Sequence, residues 1–220
     1  MVDVTIIGGL LIAYIAVEAV IAGIEWCLRL LSKRKLEEKC KEWLVNVPLS
    51  EADMEIIENN RKLLRSKIPE GGLGENIKMM SREDRIRFLI DLLEEASNNY
   101  GVEISSVKFA PSSEIGSSCY GFYAFDENMV VLNLDMVCSD SVICLEEIVD
   151  TVFHELRHAQ QYRAVTDDSY NFGTEEQRLR WGLNFMPNHY IRGEVDFELY
   201  QRQTVEADAR LVAHETIKGF

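Results

Sequence analysis

Apolar residues run almost without a break from Val4 to Ile24. A run of about 20 apolar residues is long enough to cross a bilayer as a helix. Asp3 stands where a secretory signal carries a cation, so the run is not read as a cleaved signal. Arg29, Lys33, Arg34 and Lys35 follow it and place the rest of the chain on the cytoplasmic side. Two carboxylates, Glu18 and Glu25, oppose burial in lipid. Gly9, Ala13, Ala16 and Gly23 give a small-residue face on which another helix can pack. Residues 1–35 are therefore expected as a hydrophobic N-terminal helix, either a membrane anchor through residues 4–24 or a helix buried against a protein surface.

The pattern changes after residue 35. Lys, Glu and Leu dominate residues 36–75, which read as an amphipathic helical linker broken at Pro48. Ser50 is placed to cap a new helix, with Asp53 at the third position of a capping box. The Gly-rich stretch Gly71-Gly72-Leu73-Gly74 follows Pro69 and reads as a loop. A catalytic domain is expected over residues 76–220. Ser81 caps a helix whose apolar stripe is Ile86, Leu89, Ile90 and Leu93, ending near Asn98-Asn99-Tyr100-Gly101. Val107 to Ala110 reads as a short strand. Tyr120–Phe125 and Met129–Leu134 flank Asp126-Glu127-Asn128 and read as a hairpin. Ser141 opens a helix running to about Tyr162, with Ile143, Ile148, Val152, Leu156 and Ala159 inward. Thr204 to Ile217 forms a last helix. The class is α+β: helices first, then a small antiparallel sheet packed on the helix that carries residues 154–158.

Charge and cysteines narrow the chemistry. The net charge of −14 argues against a nucleic-acid partner, which needs a basic face. The five cysteines are odd in number and show no CxxC spacing, so a disulfide framework and a cysteine-based zinc site are both disfavoured. A reducing compartment is the simpler reading.

The sharpest signal is His154-Glu155-Leu156-Arg157-His158. Histidines four apart on a helix lie on one face, one turn apart, where they can share a metal ion. Zinc acidifies water, and a neighbouring Glu155 can accept the proton. Two histidines leave the site incomplete, so a third ligand must come from downstream. Glu176, His189, Glu194 and Glu206 are the candidates. Glu206 is favoured because Thr204-Val205-Glu206-Ala207-Asp208-Ala209-Arg210 brings a carboxylate on a second helix. Arg157 is expected to pair with a nearby acid, and Trp181 and Phe185 to pack in a core or a lid.

The stretch His154 to Tyr162, followed by Tyr200 and Val205 to Arg210, resembles small bacterial gluzincin-type metallopeptidase domains. Such domains occur in prophage-encoded proteins and polymorphic toxins. The resemblance spans residues 120–215. It implies a zincin-like fold, Zn2+ held by His154, His158 and Glu206, Glu155 as general base, and a protein or peptide substrate. One position departs from the thermolysin-like pattern. Those enzymes carry an acid four residues after the ligand Glu, where this chain has Arg210. Asp150, one turn before His154, and Asp208 are the candidates to orient a histidine ligand. Tyr200, Tyr190, His189 and His214 are the candidates to stabilise an oxyanion. Two other roles carry the same motif: a metallopeptidase-like binding or regulatory protein with little activity, and a toxin or effector domain with the same chemistry.

Overall fold

The computed structural model describes residues 49–68, 71–186, 189–193 and 195–220. The expected helix over 1–35, its anchor segment 4–24, and the first part of the expected linker lie outside the described residues. Among the described residues, no helix is long and apolar enough to cross a membrane.

Helix α1 (Glu51–Lys67) starts as its cap predicts: Ser50 and Asp53 close a reciprocal capping box. It buries Ile56, Ile57 and Leu64. The expected domain boundary at residue 76 falls inside one compact unit that begins at Asn46. α1 buries its apolar face against two later helices, so it is part of that unit and not a linker. A short helix α2 (Leu73–Lys78) occupies the end of the expected loop. Helix α3 (Arg82–Tyr100) is capped by Ser81 and ends on Gly101, whose φ of 64° is the left-handed conformation glycine tolerates. Leu89, Leu92, Leu93 and Ala96 fill its buried face. Arg85 is buried but satisfied, donating to the carbonyls of Ile77, Lys78, Val137 and Ser139.

Strand β1 (Ser106–Ala110) is followed by a turn of helix, α4 (Ser112–Ile115), and then β2 (Gly121–Ala124) and β3 (Met129–Asn133). The order is β1-β3-β2. β2 and β3 form the expected antiparallel hairpin, but β1 pairs with β3 in parallel, so the sheet is mixed and not antiparallel. The cause is the connection: α4 and the hairpin carry the chain across before β3 returns between the two earlier strands. β3 is consequently paired on both sides and offers no edge for strand addition. β2 is an edge strand and packs on the long helix that follows.

After α5 (Leu134–Val137), Ser141 caps helix α6 (Val142–Thr166). Ile148, Val149, Val152, Phe153 and Leu156 are fully buried along it. Ile143 is not part of that face: it sits in the first turn at 68% exposure. α6 is the centre of the fold, packing on α2, α3, β2, α7 (Glu175–Phe185) and α9 (Thr204–Ile217). A short helix α8 (Phe197–Arg202) precedes α9. The observed class is α+β, with a small mixed sheet and one dominant helix.

Candidate metal centre

α6 and α9 place the cluster. His154 and His158 lie one turn apart on α6, with ring centroids 4.6 Å apart. α9 brings Glu206 between them. Its Oε2 is 3.3 Å from His154 Nε2 and its Oε1 is 3.2 Å from His158 Nε2. The ligand atoms of all three lie within 4.8 Å of one another. A tetrahedral site with bonds of 2.0–2.1 Å has edges of about 3.3 Å, so these separations suit a small divalent ion. Glu206 is fully buried, and its Oε2 has no hydrogen-bond partner. Leaving a buried carboxylate oxygen unpaired is costly unless a cation completes it. The donor set, two imidazoles and one carboxylate, fits zinc in a site whose fourth ligand would not come from the protein.

The electrostatics follow from this crowding. Burial works against charge on both partners, but the pair overrides it. His158 is pushed up to about 9, held protonated by Glu206 despite its burial. Glu206 is held well below the carboxylate range by His158 and His154, against the effect of its burial. Glu155 points into the same space. Burial raises its pKa, His154 and His158 pull it back, and the backbone N–H of Tyr123 on β2 donates to it. The edge strand thus holds the expected general base in position.

Two tyrosines close over Glu206. Tyr190 donates its hydroxyl to Oε1 at 2.6 Å. Tyr200 packs edge-on against Tyr190, with centroids 6.2 Å apart, and its hydroxyl also reaches Glu206. Burial and the Glu206 charge raise both phenols, so both remain donors. Tyr200, one of the candidates from the sequence, thus lies beside Glu206. His189 is not among the residues whose ligand atoms cluster, and its ring Nδ1 is buried without a hydrogen-bond partner. Glu176 lies on the exposed start of α7 paired with Arg180, and Glu194 lies outside the described residues.

The orienting groups differ from the sequence expectation. Asp150 lies in electrostatic contact with His154, but its Oδ1 is buried without a hydrogen-bond partner. Asp208 does not reach either histidine directly. It forms a two-pronged ion pair with Arg157, Nε to Oδ2 at 2.7 Å and Nη2 to Oδ1 at 3.0 Å. The reason is helical geometry: two residues past Glu206, the side chain points about 200° around α9. Arg157 is fully buried, also pairs with Asp53 of α1 at 2.7 Å, and lies over the rings of Phe172 and Trp181.

The partner of His158 is Gln161, which sequence reasoning did not single out. Gln161 Oε1 lies 2.9 Å from His158 Nδ1. Its Nε2 donates to Val205 O at 3.0 Å and to Asp208 Oδ2 at 2.6 Å. Both amide hydrogens are therefore used, Oε1 is the acceptor, and His158 Nδ1 carries a hydrogen. That leaves Nε2, on the Glu206 side, as the nitrogen that would face a metal and give up its hydrogen to one. The available signal was the spacing: a glutamine three residues past the second histidine lies on its helical face.

Comparison with family models, curated proteins and solved structures finds no match to this chain.

Proposed function

We propose that the chain is a zinc-dependent metallopeptidase. The observation that carries this reading is the meeting of buried Glu206 with both histidines of the motif at tetrahedral-edge distances, with Glu155 beside them. Bound zinc supplies a Lewis acid that makes hydroxide available near neutral pH. His154, His158 and Glu206 hold the ion. Glu155, its pKa raised by burial, takes the proton of the attacking water and passes it to the leaving amine nitrogen. Tyr190 keeps its one hydroxyl hydrogen on Glu206, and Tyr200 beside it is the hydroxyl donor that stabilises negative charge on the carbonyl oxygen. An extended substrate lies along β2, the edge strand whose Tyr123 N–H is already turned toward Glu155.

The zincin-type fold belongs to the same reading. Its support is the mixed sheet whose edge strand runs beside the HExxH helix, and the second helix carrying Glu206. The apolar run at residues 4–24 and the cations after it support an anchor that holds the compact unit at the cytoplasmic face of a membrane.

Metal analysis and peptide cleavage by purified wild type, Glu155→Gln and Glu206→Ala test the reading. Wild type is expected to hold one zinc per chain and to cleave. Glu155→Gln keeps the metal and loses cleavage, whereas Glu206→Ala loses both. Full zinc occupancy in Glu206→Ala, or undiminished cleavage by Glu155→Gln, overturns it.

A further inference from the structure

We propose that the metal ligand His158 is positioned by a buried polar chain that begins at α1, with Gln161 as its direct holder and Asp53 as its remote end. The inference rests on the reading of His154, His158 and Glu206 as metal ligands. It names positioning groups outside the motif.

The chain is continuous. Ser50 donates its backbone N–H and its hydroxyl to Asp53 Oδ2, at 2.8 and 2.6 Å. Asp53 Oδ1 is joined to Arg157 Nη2 by an ion pair at 2.7 Å rather than by an aligned hydrogen bond. Arg157 grips Asp208 with Nε and with the same Nη2. Asp208 accepts from Gln161, and Gln161 accepts from His158 Nδ1. Asp53, Arg157, Gln161 and Asp208 are each at most 4% exposed. Water therefore cannot substitute for a missing partner at little cost.

Each link fixes the next. Arg157 presents its donors in a rigid planar fork, so the two carboxylates that share its Nη2 hold it in one orientation. Arg157 in turn fixes the plane of Asp208. With Asp208 fixed, Gln161 has one amide orientation that satisfies both of its hydrogens, and that orientation faces an acceptor to His158. The result is one imidazole tautomer and one ring orientation. Partners of this kind on a metal-bound histidine commonly set affinity by about 10- to 100-fold. Arg157 has a purely structural duty as well, joining α1, α6 and α9. The proposal is distinguished by the prediction that loss of Asp53 reaches the metal.

The test measures zinc affinity by chelator competition, together with the thermal stability of the metal-free protein. Gln161→Met keeps the packing volume but removes the acceptor, and is expected to weaken zinc by about 10- to 100-fold. Asp53→Asn keeps the shape, and is expected to weaken zinc by about 2- to 30-fold, the range of measured long-range couplings. The double variant should weaken zinc by less than the product of the two, because both act through Arg157 and Asp208. Arg157→Lys, which retains a charge but loses the fork, serves as the second probe if Asp53→Asn folds poorly, and should also weaken zinc. If these variants lower only thermal stability and bind zinc as wild type does, the proposal is overturned. If wild type binds zinc but cleaves no peptide, the proposed function fails while this inference stands on the affinities alone. If wild type binds no zinc, both fall.

Discussion

Tyr190 donates its hydroxyl hydrogen to Oε1 of Glu206 at 2.6 Å, although the two residues stand on different elements and only Glu206 is fully buried. The bond leaves Oε2, the oxygen nearer His154, without a hydrogen bond. Tyr190 thus holds the rotation of the carboxylate between the two histidines. Tyr190→Phe is expected to lower zinc affinity about tenfold, as loss of an outer partner does at other sites. Equilibrium dialysis against a zinc buffer measures this, and an unchanged dissociation constant refutes it.

Arg157 lies fully buried between Asp53 and Asp208. Replacing it with Leu leaves two carboxylates in the interior with no counter-charge. Breaking a buried ion pair on one side costs about 3–5 kcal/mol. Urea unfolding of Arg157→Leu should show a loss of that size. A loss below about 1 kcal/mol would show that the two acids find water or each other.

Asp150 gives a pH signature. Burial raises its pKa from 3.8 to about 6, with His154 pulling it back. The unfolded chain releases this proton first, so the folded state loses stability between about pH 4 and pH 6 and carries the full penalty above that window. A shift of this size corresponds to at most about 3 kcal/mol. In metal-free protein, Asp150→Asn should remove that decline. Thermal melts of both proteins at pH 4 and pH 7 provide the comparison. Equal gaps between the two melting points at both pH values would count against the assignment.

Gly121 marks the closest approach of β2 to its neighbours. A Cβ there would lie 2.6 Å from the Val131 carbonyl oxygen and 2.9 Å from Thr151 Cγ2. Gly121→Val should destabilise the protein by about 1–3 kcal/mol through overpacking. It should also loosen the hold of Tyr123 on Glu155, so cleavage falls more than the stability loss alone explains. Differential scanning fluorimetry with a peptide-cleavage assay separates the two effects.

Much of the site was legible because its signals are local. The His154–His158 spacing, the Ser50, Ser81 and Ser141 caps and the hairpin turn at Asp126–Asn128 all act within a few residues of sequence. Glu206 was accessible because a carboxylate on a second apolar helix is a recognisable pattern. What escaped is long-range. No local pattern tells that β1 crosses to pair in parallel with β3. Nor does any show that Asp53, on a helix expected in a linker, belongs beside Arg157. Ile143 lies two residues from the fully buried Leu145, about 200° around α6, and so faces outward. Gln161 was overlooked because a glutamine beside a histidine becomes meaningful only when Asp208 and Val205 occupy its amide hydrogens.

The position of α9 has a consequence for the order of assembly. A growing chain that has reached the end of α6 already displays His154, Glu155 and His158, yet it lacks Glu206 to join the histidines and Asp208 to receive Arg157. Domains fold as units, so the halves wait for each other. On the proposed reading, metal capture is tied to completion of the tertiary structure, and an unfinished chain carries the motif without its third ligand.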